Sequence, residues 1–172
     1  MSLQNRRLFI ILSVLFSVFV GYLIWDQINK SVLEGVDVGN MAADFTVLGV
    51  NDSSFTLSDY LGKIVIIDFM ATTCVPCQNQ LDELNLIVPL YDDVVIVSIE
   101  IDVALTWSDF VDYANFKNVT WFMGHDESIG QKYKVSYIPT ILIVDQEGTI
   151  IYRELYTTHN QLRDQLDRVP SP

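Results

Sequence analysis

Cysteine is almost absent from this sequence: 172 residues contain only Cys74 and Cys77. With His125 and His159 distant in sequence, no second ligand pair at short spacing completes a zinc site. Basic residues are scarce too, 10 Lys and Arg against 22 Asp and Glu, for a net charge of −12. Phosphate binding needs clustered Lys and Arg, so nucleic acid is excluded as a partner. An anionic membrane surface would repel such a chain rather than hold it flat. Internal repeats and low-complexity stretches are also missing. What remains is enough apolar residue, half of the chain, to build one sizeable core and an appendage.

Charge is missing altogether from Leu8 to Trp25, where Leu, Ile, Val and Phe dominate. Those residues span about 27 Å as a helix, close to the thickness of a hydrocarbon core. Arg6 and Arg7 precede the run, Asp26 follows it, and Tyr22 and Trp25 sit where interfacial aromatics belong. The expectation is a cytoplasmic N-terminus over 1–7, a transmembrane anchor over 8–25, a tether over 26–37 and a folded domain over 38–172. The positive-inside rule places that domain outside the cytoplasm. A cleaved signal peptide is the rival, but its apolar region is normally shorter, and no Ala-x-Ala site follows. No cysteine near the end of the run offers a lipid attachment point. Beyond Arg7 the chain carries 8 basic residues against 22 acidic, net −14, which suits a soluble surface. Asn29-Lys30-Ser31, Asn51-Asp52-Ser53 and Asn118-Val119-Thr120 match the N-glycosylation pattern, a short triplet that agrees only weakly with export.

Within the domain, Met41 to Leu48 reads as a strand with Phe45 and Val47 on one face. A turn over Asn51 to Ser54 leads into Phe55-Thr56-Leu57, completing a hairpin. Ser58 to Lys63 reads as a short helical turn closed by Gly62. Ile64 to Met70 is nearly all apolar, as in a strand covered on both faces. After the cysteines, Leu81, Leu84, Ile87 and Val88 recur at helical spacing. Val94 to Ile101 is a second buried strand, and Thr106 caps a helix over Trp107 to Asn115 with Phe110, Val111 and Ala114 inward. A strand over Thr120 to Met123, a helix over Ser128 to Tyr133, strands over Ile138 to Val144 and Thr149 to Glu154, and a helix over Asn160 to Arg168 complete the chain. The alternation predicts an α/β fold with helices on both faces of a central sheet.

Cys74 and Cys77 fall where the Ile64 to Met70 strand gives way to a helix. A helix start supplies unpaired N–H groups and the positive end of the helix dipole, which favour the thiolate that attacks disulfides. Pro76 suits the first helical turn, where its missing N–H costs nothing. Cys77, one turn inside, is predicted to be less exposed and able to resolve a mixed disulfide formed at Cys74. A purely stabilising bridge is the alternative, yet a loop this short gains little from closure. Asp68 lies among Val65, Ile66, Ile67 and Phe69, so desolvation should raise its pKa and fit it to exchange a proton with Cys77. A solvated Asp68, or one held by a lysine, is the alternative. His125 in a loop and His159 before the last helix read as surface histidines, and Trp107 and Trp121 as core or rim aromatics.

Asp68 to Cys77 resembles the thioredoxin active-site stretch. Ala43-Asp44-Phe45-Thr46, Phe55 to Lys63, Val135-Ser136-Tyr137-Ile138-Pro139-Thr140 and Asp145-Gln146-Glu147-Gly148 narrow the resemblance to membrane-anchored, TlpA/ResA-like thiol-disulfide oxidoreductases, over about Val38 to Arg168. The resemblance implies a thioredoxin-like fold with a mixed sheet and an extra N-terminal hairpin. It implies Cys74 as nucleophile, Cys77 as resolver and Asp68, matching the buried aspartate of thioredoxin, as proton relay. Pro139 should be cis beside the cysteines, and Ile138, Val75 and Pro76 should meet the incoming chain. No cofactor beyond the Cys74–Cys77 disulfide is implied. The implied partners are exported proteins with cysteine pairs and a membrane electron donor; the direction is reduction, and the setting cytochrome c maturation. Two departures stand out. Thr73 and Met70 replace frequent tryptophans, giving a smaller, more polar rim, and Gln80 occupies the place where ResA-like members often carry a glutamate. A disulfide-forming oxidase stays open, because Val75-Pro76 alone does not fix the potential. A peroxiredoxin-type peroxidase needs Thr or Ser where Ala71 stands. A non-enzymatic copper chaperone needs wider cysteine spacing.

Overall fold

The computed structural model describes residues 12–13, 15–22, 34–50, 53–117 and 119–169. The chain divides into two compact units, Met1–Glu34 and Gly35–Pro172. In the first, residues 12–13 and 15–22 are helical, with Leu12, Leu15, Phe16, Val18, Phe19 and Tyr22 exposed. Among the described residues no helix is long and apolar enough to cross a membrane. The expected anchor over 8–25 and tether over 26–37 fall partly outside the described residues, and each glycosylation match includes residues outside them.

The second unit starts before the expected domain boundary. Val36 is already buried, and its carbonyl accepts a hydrogen bond from Arg153 Nη1 at 2.9 Å. The sheet is built from β3 (Ile64–Met70), β4 (Val94–Glu100), β5 (Phe122–His125), β6 (Thr140–Val144) and β7 (Ile150–Glu154). Their order across the sheet is β5-β4-β3-β6-β7. Strands β4 and β5 run parallel to β3, while β6 opposes β3 and pairs antiparallel with β7, so the sheet is mixed. The helices are α1 (Val75–Asn85), α2 (Trp107–Lys117), α3 (Glu127–Lys132) and α4 (His159–Leu166).

Side chains alternate across a strand, so β3 feeds two cores. Val65, Ile67 and Phe69 pack with Ile129 and Tyr133 of the α3 region and with Phe45, Val47 and Phe55. Ile66 and Met70 pack on the other face with Cys77, Leu81 and Leu84 of α1, Phe110 of α2 and Leu162 of α4. Ahead of the sheet lies a hairpin of β1 (Thr46–Leu48) and β2 (Ser54–Thr56), with Val47 opposite Phe55. It approaches β5 so closely that a Cβ on Gly124 would lie 2.5 Å from Val47 Cγ2.

Several boundaries differ from the sequence reading. The strand expected from Met41 to Leu48 is split into Met41–Ala42 and β1. Asp44 Oδ1 accepts N–H bonds from both Phe45 and Ser58, a local alternative to the ladder. Leu57 opens a 3-10 turn, Leu57–Tyr60, instead of ending a strand. Gly62 follows it with φ +87, a left-handed conformation that glycine adopts without penalty. Val88 is exposed and lies beyond α1 in a short turn, Val88–Leu90, so it is not part of that helix's inner face. The cap expected at Thr106 is present: its Oγ1 accepts from Asp109 N–H at 3.2 Å.

Candidate active site

The apolar β3 strand ends at Met70 in the sheet's interior, and the chain then turns directly into α1. Ala71 O accepts from Cys74 N–H at 3.0 Å, closing that turn. Cys74 is the N-cap of α1, in extended backbone conformation, and its Sγ accepts from Cys77 N–H at 3.1 Å. The sulfur therefore takes one of the orphan N–H groups of the helix start, as a capping oxygen does elsewhere. Cys74 and Cys77 form a disulfide with Cα atoms 5.2 Å apart. Their exposures differ: Cys74 is half-buried, whereas Cys77 is fully buried. Val75, 67% exposed, and Pro76 form the outer rim.

From the other side the Ile138–Pro139 peptide, which is cis, closes over the pair. Ile138 O lies 3.9 Å from Cys74 Sγ. A disulfide sulfur carries no proton, so in this oxidised state the approach is a contact, not a hydrogen bond. Pro139 is buried, Ile138 half-buried and Tyr137 exposed. Sixty-four residues of chain separate Cys74 from Ile138, and the antiparallel β3–β6 pairing brings them together.

Asp68 is fully buried, on the same face of β3 as Ile66 and Met70, the face that packs against Cys77. Its Oδ2 accepts from Ser98 Oγ at 2.9 Å, while Oδ1 has no partner. Desolvation pushes its pKa up to about 7; the Ser98 hydrogen bond opposes this and the Glu100 charge adds to it. Three residues overlooked in the sequence surround it. Ser98 stands directly opposite Asp68 on β4, and also accepts from Trp121 Nε1 at 3.0 Å. Glu100, two residues on and also buried, lies beside Met70 in register. Tyr113 on α2 keeps a buried, unpartnered hydroxyl, and burial together with the Glu100 and Asp68 charges pushes its pKa up to about 12. The signal for the first two was present: Ser98 and Glu100 interrupt an apolar strand at spacing two, so they share a face.

Other expected features take different roles. Gln80 is buried, donating from Nε2 to Thr157 O at 2.9 Å and accepting at Oε1 from Thr157 N–H at 2.7 Å. Met70 is buried, so of the two replaced tryptophan places only exposed Thr73 alters the rim. His125 ends β5 instead of lying in a loop, with its ring 6.4 Å from Trp107 and 5.7 Å from Phe110. His159 is the first residue of α4 and bonds Glu83 Oε2 through both its N–H and Nδ1 at 2.7 Å. That anchoring holds the Glu83 carboxyl below its ordinary pKa. Among the described residues no group of three or more His, Cys, Asp or Glu is placed to hold a metal ion.

A disulfide at a helix N-terminus, beside a cis-proline and at the end of the central strand of a mixed sheet, defines a thioredoxin-like protein with a dithiol-disulfide site. The chain belongs to the AhpC/TSA family, whose pattern matches residues 38–153. It is similar to the thiol-disulfide oxidoreductase ResA of Bacillus cereus, 28% identical over 171 residues, covering 96% of this chain and 98% of the relative. Among solved structures it resembles the thioredoxin domain of a thiol-disulfide oxidoreductase from Bacteroides vulgatus. There the TM-score is 0.69 and the identity 20%, over 78% of this chain and 98% of that one. The exposed lipoprotein thioredoxin of Streptococcus pneumoniae is similar at TM-score 0.65 and 24% identity, over 74% of this chain and 100% of that one. At these identities the two structures support the fold.

Proposed function

We propose that this protein is a thiol-disulfide oxidoreductase, held to a membrane by residues 8–25, that reduces cysteine pairs of exported proteins. Cytochrome c maturation is the setting we assign to it. The observation that carries the reading is the unequal burial of a disulfide-bonded pair at the start of α1. Cys74 is reachable beside Ile138, and Cys77 is sealed beneath it.

In the reduced protein the Cys74 thiolate, favoured by the helix N-terminus, attacks a sulfur of the partner's disulfide. One partner sulfur leaves as a thiolate, and a mixed disulfide joins the other to Cys74. The chain on either side of the attacked cystine pairs with the backbone at Ile138, while Val75 and Pro76 border the docking surface. The Cys77 thiol then gives its proton to the Asp68 carboxylate and attacks Cys74 Sγ. The partner leaves carrying two electrons, and the Cys74–Cys77 disulfide is restored. A membrane protein with a dithiol returns two electrons to the pair for the next cycle.

The reduction potential of the Cys74–Cys77 pair, measured by glutathione or thioredoxin equilibration, tests the direction. A value near about −270 mV, as in thioredoxin, is expected; one near about −120 mV, as in DsbA, makes the protein an oxidant instead. Cys77→Ser should accumulate a mixed disulfide with a reducible partner peptide, while Cys74→Ser should form none. Trapping at Cys77 instead would reverse the assignment of the two sulfurs.

A further inference from the structure

Glu100 has no part in the exchange steps above, yet its carboxylate is built into the site from two sides. Oε2 accepts the Thr72 N–H at 2.6 Å and Oε1 accepts the Asp102 N–H at 2.9 Å. Thr72 lies inside the turn that Ala71 O and Cys74 N–H close, and its own carbonyl accepts from Gln78 Nε2 at 3.3 Å. Asp102 follows β4 in the next loop along the same end of the sheet. One buried anion therefore staples the turn before Cys74 to the neighbouring loop.

We infer that Glu100 is a positioning residue that holds the turn preceding Cys74, and that its negative charge makes the Cys74–Cys77 dithiol a stronger reductant. Thr72 and Cys74 are two residues apart, so their Cα atoms lie within about 7.6 Å. A buried charge bonded to that turn is screened less by salt than an exposed one. It opposes the Cys74 thiolate that the start of α1 favours. Destabilising the reduced, ionised form moves electrons more readily onto a partner, the converse of an oxidant whose reduced form is stabilised. The groups facing Glu100 are Asp68 on β3, Asp102 beyond β4, His125 on β5 and Tyr113 on α2. The net surroundings raise the Glu100 pKa, burial being the leading cause, while the two N–H donors and His125 oppose that rise. The charge acts on Cys74 where the carboxylate is ionised, so its effect strengthens as pH rises.

The inference rests on Cys74 being the attacking thiol, which trapping of the partner peptide by Cys77→Ser and not by Cys74→Ser tests by itself. Two variants of the full chain separate charge from reach. Glu100→Gln keeps the length and removes the charge; Glu100→Asp keeps the charge and shortens the reach to Thr72. In the reduced Glu100→Gln variant, thiolate absorbance at 240 nm should report a Cys74 pKa lower by about one unit. The equilibrium in which two glutathione thiols reduce the protein disulfide should shift about tenfold toward the protein dithiol, about 30 mV for this two-electron couple. Glu100→Asp should leave the Cys74 pKa within about 0.3 of the parent while slowing attack on a model disulfide about fivefold or more. Loss of thermal stability with the Cys74 pKa, equilibrium and attack rate unmoved in both variants would make Glu100 a structural staple only. A rise of the Cys74 pKa in Glu100→Gln would overturn the charge argument.

Discussion

Asp68 shows most clearly what one buried group does to this protein. Its folded-state pKa of about 7 exceeds the ordinary 3.8 because burial strips water from the carboxylate. Between those values the folded protein holds a proton that the unfolded chain has released, so stability falls as pH rises from about 4 to about 7. The full contribution is present below pH 4, and its loss across the window is on the order of 4 kcal/mol. Asp68→Asn should remove that slope, leaving the variant more stable than the parent at pH 8 and nearly equal at pH 4. Urea denaturation at both pH values measures it, and parallel pH profiles would contradict it. The same variant should slow release of the partner from the Cys74 mixed disulfide at neutral pH, since Asn cannot take the Cys77 proton. Asp68 was legible in the sequence because a charge amid Val65, Ile66, Ile67 and Phe69 has few ways to be solvated. Its partner Ser98 and neighbour Glu100 were harder, because strand register, and not local sequence, puts them beside Asp68 and Met70.

At the scale of elements, the periodic signals carried the sheet and the helices, and the polar exceptions decided where they end. Strand β3 has the predicted bounds, Ile64–Met70, because the run is apolar but for Asp68, whose carboxylate bonds Ser98 of the neighbouring strand and not the local backbone. Near Asp44 the prediction failed, since a side-chain oxygen satisfied N–H groups that a strand would otherwise pair. Gln80 is the instructive case, a buried polar residue on the inner face of α1. Its amide meets the Thr157 peptide through a reciprocal pair of hydrogen bonds, tying α1 to the segment that leads into α4. Thr157 itself is fully buried, so Gln80→Leu would leave both its N–H and its carbonyl unpaired. The expected cost is about 3 kcal/mol, visible as a lower urea midpoint at unchanged m-value. Gln80→Glu discriminates further. A protonated glutamate reproduces the donor and acceptor of the amide, whereas an ionised one turns an oxygen toward the Thr157 carbonyl. That variant should therefore lose stability relative to the parent as pH rises from 5 to 8. Equal destabilisation at both values would mean that the Thr157 segment has moved away.

For the whole molecule, the proposed function depends on which side of a membrane the site reaches, and that choice rests on very few charges. The exchange chemistry needs partners with disulfides, which persist outside the reducing cytoplasm. An acidic domain, net −14 beyond Arg7, gains nothing from an anionic lipid surface, so the proposed attachment rests on the apolar run over 8–25. Orientation of such a span follows the Lys and Arg within about 15–20 residues of its ends. On the N-terminal side these are Arg6 and Arg7; on the other side the nearest is Lys30. The full chain produced in a bacterial host should sediment with membranes and resist carbonate extraction. In intact spheroplasts, added protease should digest its domain. Replacing both arginines, Arg6→Glu with Arg7→Glu, leaves Lys30 as the basic residue closest to the span and reverses the bias. A substantial fraction of that variant should then be protected from protease until the membrane is opened with detergent. Release of the full chain by carbonate would show that residues 8–25 do not span the bilayer. Full digestion of the double variant in intact spheroplasts would show that charge near the span does not set its direction.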